Sequence, residues 1–166
     1  MNRDALGTYL NDHLAGATLG VDHARQLEAH NDGMAFGAEM ARIADEIEED
    51  RETLVGLMER LEITRNPVKV ATAWVAEKAG RVMFSGISTG DPDLGNFLAI
   101  ETMSLGVEGK RSLWTTLAHI AQLRPELAET DFARLIERAE GQRRVLEEER
   151  LRAAGRAFAA IGVTAS

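Results

Sequence analysis

Two glutamates in the second half of the chain have the spacing of a helical site. Glu101 and Glu108 lie seven residues apart, in phase with Leu94, Leu98 and Leu105. Because seven residues make about two helical turns, both carboxylates are expected to lean toward the apolar stripe of one helix. A buried carboxylate is costly unless it is paired with a cation, hydrogen-bonded or bound to a metal ion. The spacing therefore indicates either a metal site or an ion-pair network inside a helical bundle.

Three further polar residues, Asp50, Gln142 and Arg143, fall on or beside apolar stripes near the middle of their predicted helices. Together with the two glutamates they form the predicted core polar cluster, which consists of Asp50, Glu101, Glu108, Gln142 and Arg143. Arg143 would donate paired hydrogen bonds to carboxylates that otherwise repel each other. We favour this ion-pair network over a metal site, because an unpaired buried charge is not tolerated.

The alternative is a di-metal site for iron or manganese, with Glu101 as its anchor. Its helper carboxylates would be Glu46, Asp50, Glu108 or Glu140. The chain has four histidines and no cysteine, and no glutamate is followed three positions later by histidine. Only His13 lies near an apolar stripe, where a hydrogen bond to a neighbour is the more usual role of a lone imidazole. We therefore predict no cofactor, no metal ligand and no catalytic residue.

These residues must be positioned by helices, since apolar residues recur at steps of three and four along most of the chain. The periodicity predicts long helices over residues 6–27, 40–61, 91 to about 122 and about 130 to 157. Asp91 before Pro92 is a start signal for the third helix, and Thr130 is the predicted cap of the fourth. A shorter helix is predicted over residues 68–84. Glycines inside the helical patterns, such as Gly20 and Gly109, predict close helix packing.

The number and order of these helices predict the fold. With 166 residues and 45% hydrophobic content, the chain is expected to form one domain over residues 1–166, with a frayed tail from about residue 160. A long link between the second and third helices and short links elsewhere are typical of an antiparallel bundle with one crossover. The predicted fold is all-α, an antiparallel four-helix bundle with a short extra helix in the crossover.

Three segments, EEDRETLVGLMERLE, AIETMSLGVEG and IERAEGQRRVLEEE, resemble helices of the ferritin-like superfamily, most nearly YciF-type bacterial stress-associated proteins. The resemblance covers most of residues 6–158 and implies a ferritin-like fold. In metal-binding members, the first and third helices each give a glutamate, and the other two each give a glutamate followed three positions later by another ligand. Here the pattern holds only at Glu101. The remaining positions fall on Ala17, on Ile47 with Asp50, and on Glu140 with Arg143. The resemblance therefore implies a degenerate di-metal site.

Charge and hydropathy exclude several classes of partner. The net charge of -8 and the pI of about 5.1 argue against binding to nucleic acid or anionic lipid, because both require a basic face. No stretch approaches the roughly 18 uninterrupted apolar residues of a membrane span, and no apolar signal segment opens the chain. We therefore predict a cytoplasmic protein.

The missing ligands favour a non-enzymatic protein that acts through association with itself or with a protein partner. The segment over residues 68–84 has more apolar residues than one helix face requires, and such excess apolar surface usually meets a partner. A homodimer is predicted, with an interface at Trp74, Val75, Val82 and Phe84. The same residues can instead cover the open end of their own bundle, because helical phase does not say which face looks outward.

Overall fold

The computed structural model describes residues 3–66 and 90–159, and these residues are almost entirely helical. The long helices are α1 (Arg3–His30), α2 (Ala35–Arg60), α3 (Pro92–Ala121) and α4 (Phe132–Ala159), with a 3-10 turn at Pro125–Leu127. The predicted all-α class is therefore confirmed for these two ranges. The predicted helix over residues 68–84 lies outside them, as do the proposed interface residues Trp74, Val75, Val82 and Phe84. The homodimer accordingly stays a prediction.

Local sequence signals set several helix boundaries. The Asp91 carboxylate accepts hydrogen bonds from the backbone N–H groups of Asp93 and Leu94, so α3 begins at its predicted cap. At the N-terminus of α4 the capping side chain is that of Asp131, whose carboxylate accepts a hydrogen bond from the backbone N–H of Arg134 at 3.0 Å. The cap therefore lies one residue after the predicted Thr130, because the aspartate is the residue placed to reach the first free N–H groups.

The turn between α1 and α2 depends on backbone proximity. Gly33 has a φ of 76°, a left-handed conformation that suits glycine. A Cβ atom on Gly37, in the first turn of α2, would overlap the backbone carbonyl of Asn31. Asn31 is itself buried, and its side-chain amide donates to the carbonyl of Leu27 at 2.8 Å. The chain therefore reverses direction between α1 and α2 over a short link, and the close approach of this link to α2 requires glycine at position 37.

The helices associate as two pairs. α1 packs along α2, α3 packs along α4, and the pairs meet where α1 faces α3 and α2 faces α4. Their buried residues form two apolar clusters, one around Ile43, Ile100 and Leu146 and the other around Leu57 and Trp114. The opposite faces of the helices carry charged residues. Within the described ranges, none of the helices is both long and apolar enough to cross a membrane.

The face that α3 turns inward differs from the predicted one. Its buried positions are Phe97, Ile100, Met103, Val107, Leu113, Trp114 and Leu117. Leu105, predicted on the inner stripe, is 69% exposed, and Leu94 and Leu98 are only half-buried. Leu94 and Leu98 still pack against the edge of the core, so the predicted stripe is wrong at Leu105. The reason is that α3 carries two stripes at helical spacing, and the one with the two large aromatic residues is the more deeply buried. Glu101 and Glu108 rotate out of the core as a result.

Candidate functional site

A buried carboxylate lies near the middle of the bundle. Asp50, on α2, is 2% exposed and sits in sequence between Ile47 of one apolar cluster and Leu54 of the other. Its Oδ2 atom accepts a hydrogen bond from Nζ of Lys110 on α3 at 2.5 Å. Its Oδ1 atom accepts from the guanidinium of Arg138 on α4. Both oxygens are therefore held by cations, and the charge of Asp50 is stabilised from two helices.

Lys110 connects this carboxylate to a second polar group. Its ammonium also donates to Oε1 of Gln142 on α4 at 2.6 Å, and Nε2 of Gln142 donates to Oε2 of Glu46 at 2.7 Å. Burial lowers the pKa of Lys110, and the neighbouring Asp50 charge opposes that effect. An ammonium has three donors. Asp50 and Gln142 use two of them, which leaves one for another acceptor.

Arg138 supplies the second cation of the layer. Besides Asp50 it contacts Glu49, whose Oε2 lies 2.7 Å from the guanidinium and whose side chain is largely exposed. Burial lowers the pKa of Arg138, but Asp50 and Glu49 outweigh burial and raise it. Two cations therefore share one fully buried carboxylate. We call Asp50, Lys110, Arg138 and Gln142 the ion-pair layer.

The structure divides the predicted core polar cluster. Asp50 and Gln142 are buried and are joined through Lys110. The side chains of Glu101, Glu108 and Arg143 are instead 42%, 36% and 43% exposed, at the rim between α3 and α4. The cause is the choice of the other stripe on α3, which carries both glutamates away from the interior.

At this rim the glutamates pair with arginines. Glu101 lies 3.3 Å from Arg150, and Glu108 accepts a bond of 2.7 Å from Arg111, which lowers the pKa of Glu108. Nε of Arg143 lies 2.9 Å from Oε2 of Glu108, close enough for charge attraction but without the alignment of a hydrogen bond. Such partly exposed pairs contribute about 0–1 kcal/mol each.

The carboxylates of the di-metal alternative do not converge either. Glu101 and Glu108 lie at the rim, Glu140 is exposed, and Glu46 is tied to Gln142 and Arg42. Across residues 3–66 and 90–159, no group of three or more histidine, aspartate and glutamate side chains is placed to hold a metal ion. The polar centre of these ranges is built from ion pairs.

Sequence reasoning missed Lys110 and Arg138, the two cations of the layer. Lys110 continues the buried stripe of α3, since it follows Ile100, Met103 and Val107 at alternating steps of three and four. A lysine in phase with a buried stripe signals either a partner carboxylate or a function. That signal was present in the sequence, whereas nothing local identifies Asp50 as its partner, 60 residues away.

A cavity of about 500 Å³ lies between α1, α2 and α3 and adjoins the ion-pair layer. Asp50 and Lys110 line it, together with apolar side chains such as Ile47, Met103 and Val107. Exposed residues line it as well, so it extends from the buried charges toward the surface. The volume falls within the range of roughly 300–1,000 Å³ that is typical of small-molecule sites.

Small residues create this space. The cavity is lined by Gly16, Ala17 and Gly20 of α1 and by Gly106 and Gly109 of α3. A Cβ atom on Gly16 or Gly109 would meet nothing within 4 Å, and on Gly20 or Gly106 it would meet only ordinary contacts. The prediction that the helix-interior glycines mark close packing is therefore wrong at Gly16 and Gly109, whereas Gly37 approaches the backbone of Asn31 and Gly20 faces Ile47 of α2. Each glycine that lines the cavity costs the helix about 0.5–1 kcal/mol relative to alanine, and the space left open is what they provide.

Trp114 forms part of the buried wall. It is 1% exposed, and its ring lies 6.4 Å from that of Phe132. Its indole Nε1–H has no hydrogen-bond acceptor. Buried tryptophan N–H groups usually have a hydrogen-bond acceptor, and a buried donor without one costs about 1–3 kcal/mol of stability. The unsatisfied N–H is therefore enclosed in the core and is not exposed to the cavity.

Two histidines of α1 lie near the same region. His13 lines the cavity with its ring edge-to-face against Tyr9, the centroids 4.6 Å apart, and burial lowers its pKa against the effect of Asp12. His23 places Nε2 2.8 Å from the carbonyl oxygen of Ala99, so Nε2 carries the proton and donates. Nδ1 of His23 is buried without a partner. Burial lowers the pKa of His23 more than the Ala99 bond raises it.

Acidification is expected to destabilise the bundle through His23. Because the folded-state pKa lies below the ordinary value of 6.5, the unfolded chain binds more protons between the two values. The free energy of unfolding should therefore rise with pH in that window and fall as pH drops below about 6.5. His23→Gln keeps a donor for the carbonyl of Ala99 and should make the free energy of unfolding depend less steeply on pH. The pH dependence that remains is expected to come from His13, whose pKa is also lowered. Urea denaturation between about pH 5.5 and 7.5 measures both slopes, and equal slopes would contradict the assignment.

Comparisons with protein-family models, with curated proteins and with solved structures each gave no match. The function must therefore be inferred from the geometry of the site. That geometry is a buried ion-pair layer of Asp50, Lys110, Arg138 and Gln142 beside an apolar cavity that Asp50 and Lys110 also line.

Proposed function

We propose that this protein is a non-enzymatic binding protein that holds a small ligand in the cavity between α1, α2 and α3. The observation that carries the proposal is a cavity of about 500 Å³ lined by helix-interior glycines that close packing does not require. A non-enzymatic role is supported by the state of the polar groups. Both oxygens of Asp50 are bonded to cations, so this carboxylate is not free to act as a base.

A ferritin-like connectivity is part of the proposal. Contacts between α1 and α2 join Arg25 to Asp45, and Asn11 to Thr64 just beyond α2, which supports opposite helix directions. The same reversal holds between α3 and α4, where contacts join residues 101 with 150 and 108 with 143. Between α1 and α3, contacts join residues 31 with 96 and 23 with 99. With these directions α2 and α3 run the same way, as in an antiparallel bundle with one crossover.

In this proposal the ion-pair layer takes the place of the metal centre of ferritin-like metalloproteins. Elemental analysis of protein purified without chelator, followed by titration with iron or manganese, is expected to show no stoichiometric metal. The reason is that Lys110 and Arg138 already neutralise the buried carboxylate. Binding of about two ions per chain would instead support the di-metal alternative.

Filling the cavity is expected to weaken ligand binding. The neutral fluorescent probe N-phenyl-1-naphthylamine should bind wild-type protein saturably, with one molecule per chain. Gly109→Leu places a side chain where a Cβ meets no neighbouring atom, so it should occupy the cavity without unfolding the helix. We expect its Kd to rise at least about tenfold, the effect of about 1.4 kcal/mol of lost binding energy.

Gly155→Leu is the matched control for this experiment. Gly155 is also a helix-interior glycine with open space around its Cβ position, but it lies on α4 and does not line the cavity. The two variants gain the same helix propensity. Probe affinity should therefore stay at the wild-type value in Gly155→Leu. Equal affinity in Gly109→Leu would refute the cavity as the binding site.

A further inference from the structure

We propose that the cavity binds an uncharged amphipathic alcohol, a ligand with an apolar body and one hydroxyl group that pairs with the imidazole of His13. This inference rests on the proposed function, because it names the ligand class of the same cavity. Three features of the cavity carry it: an imidazole that makes no hydrogen bond within the described ranges, a balanced set of charges and apolar walls.

His13 is a polar group on the cavity wall with unused hydrogen-bonding capacity. Its ring is half-buried on α1 and packs edge-to-face against Tyr9. Within residues 3–66 and 90–159, neither ring nitrogen of His13 makes a hydrogen bond, and neither is enclosed in the core. Both nitrogens are therefore accessible to a ligand, in contrast to Nδ1 of His23 and Nε1 of Trp114, which are enclosed.

The imidazole of His13 matches a hydroxyl group. Burial lowers the pKa of His13 below its ordinary value of 6.5, against the effect of Asp12, so the ring is neutral at about pH 7. A neutral imidazole has one N–H donor and one acceptor nitrogen, and a hydroxyl group both donates and accepts. A hydroxyl can therefore bond with either tautomer of His13, whereas a carboxylate only accepts and an ammonium only donates.

The charges at the cavity favour a ligand without charge. Asp50 and Lys110, which both line it, are bonded to each other. The half-buried Glu46 adds a second negative charge beside Lys110. Asp12 and Arg51, which also line the cavity, carry opposite charges. An ionic head would therefore bring an unbalanced charge into a largely apolar space, which is costly.

The remaining walls suit an apolar body. Their side chains are aliphatic or carry a thioether, and include Ile47, Leu54, Met103, Val107 and Leu113. Such side chains offer contact without strong hydrogen bonding, which an alkyl or aromatic hydrocarbon group matches. An uncharged alcohol therefore complements both the walls and the imidazole.

Three naphthalene derivatives test the head group on the wild-type chain. 2-Naphthol, 2-methylnaphthalene and 2-naphthoate share one ring system and carry a hydroxyl, a methyl and a carboxylate group. Displacement of N-phenyl-1-naphthylamine at about pH 7 should give 2-naphthol a Kd no higher than that of 2-methylnaphthalene, because the bond to His13 offsets the cost of taking the hydroxyl out of water. 2-Naphthoate should bind at least about tenfold more weakly than 2-naphthol, because its charge upsets the balance at the cavity.

His13→Phe tests the assigned residue, since it removes both ring nitrogens and keeps an aromatic ring beside Tyr9. It should raise the Kd of 2-naphthol at least about tenfold and leave that of 2-methylnaphthalene within about threefold of the wild-type value. His30→Phe is the matched control, because His30 is also on α1 but is exposed and does not line the cavity. It should leave both Kd values unchanged. If His13→Phe does not fold, the three compounds on wild-type protein still decide the ligand class.

The outcomes separate the two proposals. Tighter binding of 2-methylnaphthalene or of 2-naphthoate than of 2-naphthol, or an unchanged 2-naphthol Kd in His13→Phe, would overturn the alcohol assignment and leave the cavity proposal intact. Failure of all three compounds to displace a bound probe would also overturn the assignment. Failure of the probe itself to bind saturably would overturn the proposed function.

Discussion

Replacing Asp50 with leucine is expected to lower the free energy of unfolding by about 3–5 kcal/mol, the cost of breaking a buried ion pair by removing one partner. The substitution removes the acceptor shared by Lys110 and Arg138. Lys110 should be affected most, because its side chain is only 12% exposed and would retain only its bond to Gln142. Arg138 keeps its contact with the exposed Glu49. Urea denaturation followed by circular dichroism measures the change.

Arg143→Met is the matched control, since it also removes one partner of an ion pair with a glutamate. Arg143 is 43% exposed at the rim, so its loss should change the free energy of unfolding by no more than about 1 kcal/mol. If Asp50→Leu and Arg143→Met lower the free energy of unfolding by similar amounts, the ion-pair layer does not stabilise the protein more than the rim ion pairs do.

Removing the whole buried pair tests the cause of the loss. The triple variant Asp50→Leu, Lys110→Met and Gln142→Leu leaves no unpaired charge among these three positions. It should therefore recover much of the stability lost in Asp50→Leu, as happens when buried ion pairs are replaced with apolar residues. The three side chains contact one another, so their individual effects are not expected to add. A triple variant less stable than Asp50→Leu would contradict the ion-pair explanation.

Trp114→Ala is expected to lower the free energy of unfolding by about 3–5 kcal/mol, as for other large buried aromatic residues. Trp114 is almost fully buried and packs beside Phe132 and the leucines of the same cluster. Because the tryptophan also lines the ligand cavity, its truncation joins a new void to existing space that cannot easily collapse. Thermal and urea denaturation report the loss.

Two further variants identify the source of that effect. Trp114→Phe should cost only about 1 kcal/mol, since it deletes a buried N–H without an acceptor along with part of the ring. Leu105→Ala also alters a residue that lines the cavity, but an exposed one, and should stay within about 0.5 kcal/mol of wild type. If Leu105→Ala lowers the free energy of unfolding as much as Trp114→Ala does, burial of the Trp114 side chain is not the source of the effect.

Several features of this protein follow from the sequence alone, because they depend on local chemistry. Apolar steps of three and four determined the helical class, and Asp91 before Pro92 determined where α3 begins. The burial of Asp50 and Gln142 was also predictable, since each lies in phase with a single apolar stripe on its own helix. A helix with one apolar stripe has one way to face the core.

Other features were decided only by tertiary packing. α3 carries two stripes, and burial of Phe97 and Trp114 against α1 and α4 selected the one that turns Lys110 inward and Glu101 outward. Periodicity within one helix cannot rank two stripes, because the outcome depends on area buried against neighbouring helices. The same holds for the cavity. Glycine at a helical position permits close packing or open space, and only the placement of the helices around the cavity determined that Gly16 and Gly109 leave space.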